Sequence, residues 1–361
     1  MSTIKPKPHP KPHEIWLFLD SQTFGGIETH VIELAKGLTN HNCNTRVILL
    51  TQYEPESSIV ARLAKENLPY SYLADLSQTK SNAVAQLRSA ANQHMPQLIH
   101  AHGYKASIIS KCAKLINKRS PALKQLSTYH AGETPSGRVW LYDFIDRYTS
   151  WVSDRSLVVS DKIRQKLPTR SILLNNFVNV PSASVLSRSD TTHPVSHFRF
   201  GFVGRLSHEK AADRFVELAT YFPQHQFDLF GDGPERSKVA ETSPENCHFH
   251  GHQNDMALVW PQIDVLIIPS RFEGLPMAAL EAMVRGIPVI ATAVGNLPEL
   301  ISHRENSYLA QSTSDLRDCV DEWLNLSHSQ QVSISNSAKR SIIDHYSPQA
   351  VIPKLLTYYA L

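Results

Sequence analysis

Cysteine is scarce in this sequence of 361 residues, and long apolar runs are missing. The four cysteines form no Cys-x-x-Cys pair, which argues against a disulfide scaffold or a zinc site and fits reduced thiols in a cytosol. No apolar run approaches the ~18 residues that a membrane span needs. We therefore expect a protein that is soluble or lies on a surface.

The first 13 residues, MSTIKPKPHPKPH, lack the apolar stretch of a secretion signal. Lysine, histidine and proline alternate there, a composition typical of a solvated, extended tail. The histidines favour at most weak metal binding, because no neighbouring residue completes a site. We expect residues 1–13 to form a disordered tail.

The chain is longer than a usual single-core protein, so two domains are expected. Its hydrophobic content of 42% is near the globular average, which argues against general disorder. Residues 1–180 carry 22 basic and 13 acidic residues, a net charge of +9, whereas the remainder carries 14 basic and 20 acidic residues. This asymmetry indicates that the first half meets an anionic partner.

Short apolar, β-branched runs alternate with segments of helical spacing along the whole chain. This rhythm predicts α/β domains with parallel sheets and helices on both faces. The predicted strands of the first half are 14–19, 45–50, 97–101, 124–129, 155–160 and 171–174, with helices at 27–38, 82–94, 104–118 and 138–149. The predicted strands of the second half are 198–203, 226–230, 247–251, 264–269 and 288–292.

A polar stretch rich in serine, threonine and proline separates the two series of strands. We predict a first Rossmann-like domain over 14–180, a linker over 181–197 and a second Rossmann-like domain over 198–346. Both would be doubly wound and would face a cleft. Ligands of such sheets bind outside the carboxyl ends of the strands, so the segments after the strands matter most.

Glycines and basic residues follow several of these strands. Gly25 and Gly26 lie between the first strand and its helix, where backbone N–H groups approach an anion or form only a tight turn. Arg205 and Lys210 precede a helix after strand 198–203, and they suit a diphosphate or are simply solvated. Spacing alone leaves these alternatives open.

Two further segments also follow predicted strands of the second half. Gly231 and Gly233 form a turn after strand 226–230, which turn chemistry alone also explains. Glu273 precedes a helix that starts near Pro276, and Glu281 lies at the edge of its buried face. The two acids either face one ligand or are a helix-terminal charge and a surface glutamate.

Together these segments resemble the retaining glycosyltransferases of GT-B architecture called family 4. The resemblance covers nearly the whole chain, and the shared order of the motifs carries it. The quoted segments are GGIETHVIELAKGL, STYHAGE, VVSDKIRQKL, LNNF, FVGRLSHEK, FGDGP and, most specific, FEGLPMAALEAMVRGIPVIAT with its Glu-x7-Glu spacing.

The resemblance implies roles for individual residues. Arg205 and Lys210 would neutralise the diphosphate of a nucleotide-sugar, with Gly231, Gly233 and Pro276 also on the donor side. Glu273 would hold the sugar hydroxyls, near the amides of Gly274 and Leu275. Glu281 would bind the ribose. In the first domain, Gly25 and Gly26 would close over the phosphates, and His130 would lie beside the transferred sugar, its carbonyl or ring stabilising positive charge at the anomeric carbon.

The same resemblance implies a C-terminal segment, 347–361, that packs back on the first domain, and a reaction without a metal ion or other cofactor. The absence of an Asp-x-Asp pair agrees with a metal-free site. Two departures occur: Ala211 follows Lys210 where the family usually has glycine, and Asn176-Phe177 replaces an Asn-Gly pair. Neither removes an expected ligand of the donor.

The expected function is transfer of a sugar from a nucleotide-diphosphate-sugar to a glycan or lipid-linked glycan in polysaccharide or lipopolysaccharide assembly. UDP is the expected nucleotide, with GDP open. A sugar-nucleotide epimerase and a non-catalytic nucleotide-sugar-binding scaffold are the alternatives.

The expected location is cytoplasmic or peripheral on the inner face of the membrane. Residues 104–119 predict a basic amphipathic helix, either on an anionic membrane or simply covering the sheet, through Lys111, Lys114, Lys118 and Arg119. Nucleic acid is not an expected partner, because no basic stripe carries interleaved aromatic residues.

Overall fold

The computed structural model describes residues 14–117, 123–130, 137–181, 197–253 and 255–360. The chain divides into two compact units, Met1–Asn179 with Pro348–Leu361 and Val180–Ser347. The predicted tail and nearly all of the predicted linker lie outside the described residues. Each unit contains one parallel sheet with helices, as the β-α-β rhythm predicts.

The first unit contains a parallel sheet of seven strands in the order β3-β2-β1-β4-β5-β6-β7. Its central strands are buried on both faces, which explains their nearly continuous apolar sequences. Strand order reverses between β1 and β4, so the segments after these strands lie at the topological switch point. The strands are β1 Ile15–Leu19, β2 Thr45–Leu49, β3 Tyr70–Tyr72, β4 Leu98–His102, β5 Gln125–Tyr129, β6 Arg155–Val158 and β7 Ile172–Leu173.

Eight helices cover this sheet within the described residues. The last of them comes from the C-terminus and packs on the first. There the Tyr359 hydroxyl contacts His100 Nδ1 at 2.6 Å. The helices are α1 Gly26–Asn40, α2 Ser58–Lys65, α3 Leu73–Leu76, α4 Ala83–His94, α5 Tyr104–Ile116, α6 Gly137–Tyr148, α7 Asp161–Lys166 and the C-terminal Pro348–Tyr359, with a 3-10 turn at Ser150–Val152.

The second unit contains a parallel sheet of six strands in the order β10-β9-β8-β11-β12-β13. Here the order reverses between β8 and β11, which places the segments after these two strands side by side. The strands are β8 Arg199–Val203, β9 Gln226–Phe230, β10 Cys247–Gly251, β11 Val265–Ile268, β12 Val289–Thr292 and β13 Tyr308–Ala310.

Seven described helices belong to the second unit. Its core is rich in phenylalanine, and Phe200, Phe215 and Phe227 are completely buried between the sheet and the helices. The helices are α8 Ala212–Tyr221, α9 Arg236–Glu241, α10 Met256–Val259, α11 Met277–Met283, α12 Leu297–Leu300, α13 Thr313–Leu324 and α14 His328–His345, with a 3-10 turn at Trp260–Gln262. The C-terminal helix of the first unit is numbered α15.

A membrane-crossing helix is not found in the part of the chain that the structure describes, because no helix there is both long and apolar enough.

Candidate active site

Two loops meet at the switch point of the second sheet. One follows β8 and the other follows β11, and Arg271 joins them. The Arg271 amide donates to the Glu209 carbonyl at 2.8 Å, and its guanidinium donates to the His208 carbonyl at 3.0 Å. The guanidinium also makes a two-oxygen ion pair with Asp213 and holds the pKa of that carboxyl below its usual range. The loops are therefore fixed relative to each other.

Lys210 and Glu273 form an ion pair across these two loops. Lys210 Nζ lies 2.7 Å from both carboxylate oxygens of Glu273. The Ser270 hydroxyl donates to Glu273 Oε1 at 2.7 Å, and Thr292 Oγ1 in turn donates to the Ser270 carbonyl at 2.6 Å. The Glu273 side chain is only 6% exposed, against 32% for Lys210. The buried Glu273 carboxylate is thus paired with the partly exposed Lys210 ammonium, at the sheet edge where ligands of such folds bind.

Arg205 lies on the same β8 loop with its side chain exposed. Within the described residues it makes neither a hydrogen bond nor an ion pair through its guanidinium. The pKa of the nearby Glu209 is lowered mainly by a hydrogen bond from Ser207, with a small contribution from the positive charge of Arg205. The guanidinium is therefore available to an anionic ligand.

Gly231 and Gly233 support this loop through close backbone packing. A Cβ at Gly231 would overlap the Gly204 carbonyl oxygen, and one at Gly233 would overlap that of Leu206. Gly231 also has a φ of +150°, which disfavours other residues. The Leu206 amide donates to the Asp232 carbonyl at 3.0 Å. In this structure the two glycines position the backbone on either side of Arg205.

Ala211, which follows Lys210, has left-handed backbone angles, φ 56° and ψ 49°. This conformation costs a non-glycine residue roughly 1–2 kcal/mol. The departure from the family pattern at this position therefore strains the residue before α8 while leaving the Lys210–Glu273 pair intact.

Residues 274–276 connect Glu273 to α11, which begins one residue after Pro276. The Gly274 carbonyl accepts a hydrogen bond from the Asn296 amide at 2.8 Å. Gly295 permits this contact, because a Cβ there would overlap the Glu273 and Gly274 carbonyl oxygens. Leu275 is buried, so it anchors the turn.

Glu281 lies on the second turn of α11 and is half-buried. The Trp260 indole N–H donates to Glu281 Oε2 at 3.2 Å. The Arg285 guanidinium lies 5.5 Å from the Trp260 ring centroid, which adds a cation–π contact. The opposite face of α11, which includes Met277 and Leu280, is buried, and so is Val284 directly after the helix. Sequence spacing gave no indication of Trp260, Ser270 or Arg271 as partners of the site.

In the first unit, a separate group of residues follows β1. The Gly25 amide donates to Glu28 Oε2 at 2.9 Å, and burial raises the pKa of Glu28. No atom lies within 4 Å of the position that a Cβ would take on Gly26. Gly25 is therefore engaged in the start of α1, whereas Gly26 faces open space.

His130 follows β5 in the first unit and is half-buried. Its Nε2 lies 3.1 Å from His102 Nδ1, and its ring centroid lies 4.7 Å from that of His30. Burial, with smaller contributions from His30 and His100, holds the pKa of His130 well below its ordinary value, so the imidazole is neutral. Sequence reasoning missed His30 and His102, although His-x-His-Gly at the end of a strand (100–103) was a signal.

The predicted basic surface of α5 is partly wrong. Lys111 is buried, and its Nζ donates to Asp146 Oδ1 at 2.6 Å and to the Tyr129 hydroxyl at 3.0 Å. Lys114 Nζ lies 2.7 Å from Asp154 Oδ1. Helical spacing does not show which acids fold against a helix, so two of the four predicted cations are in fact paired within the unit. Lys118 and Arg119 lie outside the described residues.

Two family models match successive parts of the chain. The model described as Glycosyltransferase Family 4 matches residues 24–172. The model described as Glycosyl transferases group 1 matches residues 197–327. The first match includes Gly25, Gly26 and His130, and the second includes Arg205, Lys210, Glu273 and Glu281.

Individual proteins agree with these models. An uncharacterized glycosyltransferase of Methanocaldococcus jannaschii is 25% identical over 327 residues, 83% of this chain and 85% of its own length. The O-antigen biosynthesis glycosyltransferase WbnH of Escherichia coli is 28% identical over 189 residues, 52% of this chain and 54% of its own.

Solved structures share the fold. The crystal structure of Anabaena Alr3699/HepE in complex with UDP-glucose superposes with a TM-score of 0.79 at 19% identity, over 97% of this chain and 100% of that one. The crystal structure of TarM, a protein that is also solved as a mutant from S. aureus, superposes with a TM-score of 0.78 at 11% identity, over 96% of this chain and 99% of that one.

Proposed function

Since the chain is a GT-B glycosyltransferase, built from a family 4 domain and a group 1 domain, we propose that it transfers a sugar from a UDP-sugar to a glycan or lipid-linked glycan. The observation that supports this best is the Lys210–Glu273 pair beside the exposed Arg205. A donor of this class carries a diphosphate and a sugar with several hydroxyls, and the two loops offer cations for the first and a carboxylate for the second.

The proposed role of Arg205 and Lys210 is to bind the diphosphate. As the bond to the sugar breaks, negative charge develops on the leaving UDP, and fixed cations stabilise that charge without reorganising. In the proposed complex Glu273, held by Ser270, accepts hydrogen bonds from sugar hydroxyls. Lys210 then stands between the carboxylate and the diphosphate and stabilises both.

Glu281 is proposed to bind the ribose hydroxyls. Its hydrogen bond from Trp260 helps to fix the position of the carboxylate, and a carboxylate is an acceptor that suits the two hydroxyls of a ribose. From the first unit, we propose that the open space at Gly26 admits the phosphates and that His130 contacts the transferred sugar. Gly25, Gly231 and Gly233 act through the backbone, by fixing α1 and the Arg205 loop.

Retention of anomeric configuration and independence of metal ions are further parts of the proposal. The donor-side charge is balanced by arginine and lysine, and the sequence has no Asp-x-Asp pair to hold a metal ion on the phosphates. Transfer should therefore proceed in the presence of EDTA.

UDP is preferred because the Anabaena neighbour was solved with UDP-glucose. A surface polysaccharide or lipopolysaccharide acceptor is proposed because a relative from Escherichia coli acts in O-antigen biosynthesis. Nucleotide binding tests the first choice. Calorimetric titration with UDP, GDP, ADP and CMP should give the tightest binding for UDP, and Lys210→Ala should weaken it. Equal affinity for all four would contradict the assignment.

Peripheral placement on the inner face of the cytoplasmic membrane is also proposed. The net charge of +9 over residues 1–180 supports it, as do exposed aromatic residues of the first unit, among them Trp140, Tyr148 and Trp151. Flotation with anionic liposomes tests this placement. It should show binding that a Trp140→Ala/Trp151→Ala variant reduces, and the absence of binding at low salt would contradict the proposal.

A further inference from the structure

Three histidines from three different elements meet inside the first unit. His30 comes from the second turn of α1, His102 ends β4, and His130 follows β5. Each offers one ring nitrogen to a group whose members all lie within 4.8 Å of one another. Two of the side chains are almost fully buried and His130 is half-buried, so the group is both rigidly held and reachable.

The hydrogen bonds of these rings leave two nitrogens unused. His102 Nδ1 and His130 Nε2 are 3.1 Å apart, close enough for one N–H···N bond. His30 Nδ1 and His102 Nε2 are buried and have no hydrogen-bond partner among the described residues. Buried ring nitrogens normally have a partner, so these two unpartnered nitrogens in one cluster point to a ligand-binding site.

His100 provides an internal comparison. It lies beside His102, with ring centroids 4.2 Å apart, and is fully buried. Both of its nitrogens are occupied, by the Tyr359 hydroxyl and by Thr128 Oγ1, each at 2.6 Å. Among the described residues, the buried histidine nitrogens without a hydrogen-bond partner thus belong to His30 and His102, whereas the neighbouring His100 has a partner for each of its nitrogens.

The chemistry of the three histidine side chains indicates which class of metal ion they would bind. Three imidazole nitrogens and no carboxylate suit borderline transition ions such as Zn²⁺, whereas Mg²⁺ and Ca²⁺ prefer oxygen. Zn–N bonds of about 2.0–2.1 Å place tetrahedral ligands roughly 3.4 Å apart, so three nitrogens that lie within 4.8 Å of one another need only small side-chain movements to bind one ion.

We propose that His30, His102 and His130 form a binding site for a divalent transition-metal ion, Zn²⁺ in the first instance, with its fourth position open to water. Cysteine spacing gave no indication of this site, because its ligands are histidines far apart in sequence.

One consequence rests on the proposed function. His130 is proposed to contact the transferred sugar, so a bound Zn²⁺ ion would withdraw its ring from the substrate. Zinc is then an inhibitor of transfer, while the reaction itself needs no metal.

Direct titration tests the site without reference to activity. The full chain, without an affinity tag and with His9→Ala and His13→Ala to silence the N-terminal tract, is titrated with Zn²⁺ by calorimetry and with Co²⁺ by visible absorption. We expect one ion per chain and the intense absorption of four-coordinate Co²⁺. His30→Asn and His102→Asn should each weaken Zn²⁺ binding by at least about 100-fold, and His41→Ala, a half-buried histidine of the same unit, should not.

Circular dichroism identifies any variant that fails to fold. If a variant does fail, the number of ions bound by the parent chain still tests whether the site exists. Binding far below one ion per chain, or equal affinity in folded His30→Asn and parent, overturns the site. Inhibition of transfer by Zn²⁺, relieved in His30→Asn, supports the stated consequence. Stoichiometric binding without inhibition keeps the site and overturns a role of the His130 ring in transfer.

Discussion

Lys210 and Glu273 are 63 residues apart in the sequence, yet Lys210 Nζ lies 2.7 Å from both carboxylate oxygens of Glu273. The pair forms because β8 and β11 are neighbours at the point where strand order reverses, and because Arg271 ties their loops together. Either residue alone would leave an uncompensated charge at this edge. The two are best understood as one functional group.

Loss of either member of this pair should nearly abolish transfer. Glu273→Ala and Lys210→Ala should each lower kcat/KM by at least about 100-fold, the usual loss for a charged partner of the transition state. The double variant should be little worse than either single one, because each change already disrupts the same group. Steady-state kinetics on all three measure this, and near-normal turnover in both single variants would show that the site is misassigned.

Arg205→Ala should weaken use of the nucleotide-sugar donor without changing the stability of the fold. The guanidinium has no partner among the described residues, so its loss should leave the melting temperature unchanged while kcat/KM for the donor falls by about 100-fold. Arg236→Ala is the matched control, since Arg236 is an exposed arginine of the same unit paired with Asp232. Equal kinetic effects of the two changes would count against a specific phosphate contact at Arg205.

The glycines of the two units should respond differently to alanine. Gly231→Ala forces a Cβ into the Gly204 carbonyl, so we expect a loss of unfolding free energy of at least about 2 kcal/mol. Gly26→Ala meets no atom within 4 Å and should fold normally, yet it should raise KM for the donor. Denaturant melts measure the stability of Gly231→Ala, and steady-state kinetics measure the donor KM of Gly26→Ala. An unchanged stability of Gly231→Ala would contradict the close packing at Gly231. An unchanged donor KM of Gly26→Ala would contradict a phosphate contact at Gly26.

The Asp213–Arg271 pair should make stability depend on pH in the acid range. The Arg271 hydrogen bond lowers the pKa of Asp213 in the folded state below the value of 3.8 for the unconstrained residue. Its contribution is therefore fully present above about pH 4 and disappears as the pH falls through the folded-state pKa. Because the Asp213 side chain is 45% exposed, the effect should not exceed about 1 kcal/mol.

Urea melts of parent and Asp213→Asn chains between about pH 2 and pH 6 measure this contribution. The variant should lose stability at the upper end of this range and match the parent at the lower end. Asp321→Asn, which removes an exposed ion pair of α13 with Arg317, is the control and should change little. A difference between parent and Asp213→Asn that does not vary with pH would rule out the ion pair as its source.

Sequence patterns predicted the regular part of the fold and the approximate location of the donor site. Every strand of four or five residues was predicted, and so was the two-residue β7 within the run 171–174. The strands β3 and β13, with three residues each, were not predicted, because they are too short to show a period. Arg205, Lys210 and Glu273 were identified because they follow strands. The Lys210–Glu273 ion pair was not predicted, because it depends on β8 and β11 being neighbours in the sheet. Strand order cannot be read from a local sequence pattern.

The sequence did not reveal which side chains support the site residues. Trp260 and Ser270 support Glu281 and Glu273 from distant or unremarkable positions. Lys111 looked like a surface cation by spacing, yet it is buried against Asp146. In each case tertiary packing decides the partner, and a single sequence without the fold cannot supply it.

The central claim is transfer of a sugar from a nucleotide-diphosphate donor, and one assay tests it most directly. The purified chain is incubated with a panel of nucleotide-sugars and a glycan or lipid-linked acceptor fraction in EDTA, and nucleoside diphosphate and sugar products are measured together. We predict stoichiometric release of UDP with formation of a glycosylated acceptor that retains the anomeric configuration of the donor. An isomerised donor with no acceptor product, or tight donor binding with no turnover, would contradict the account.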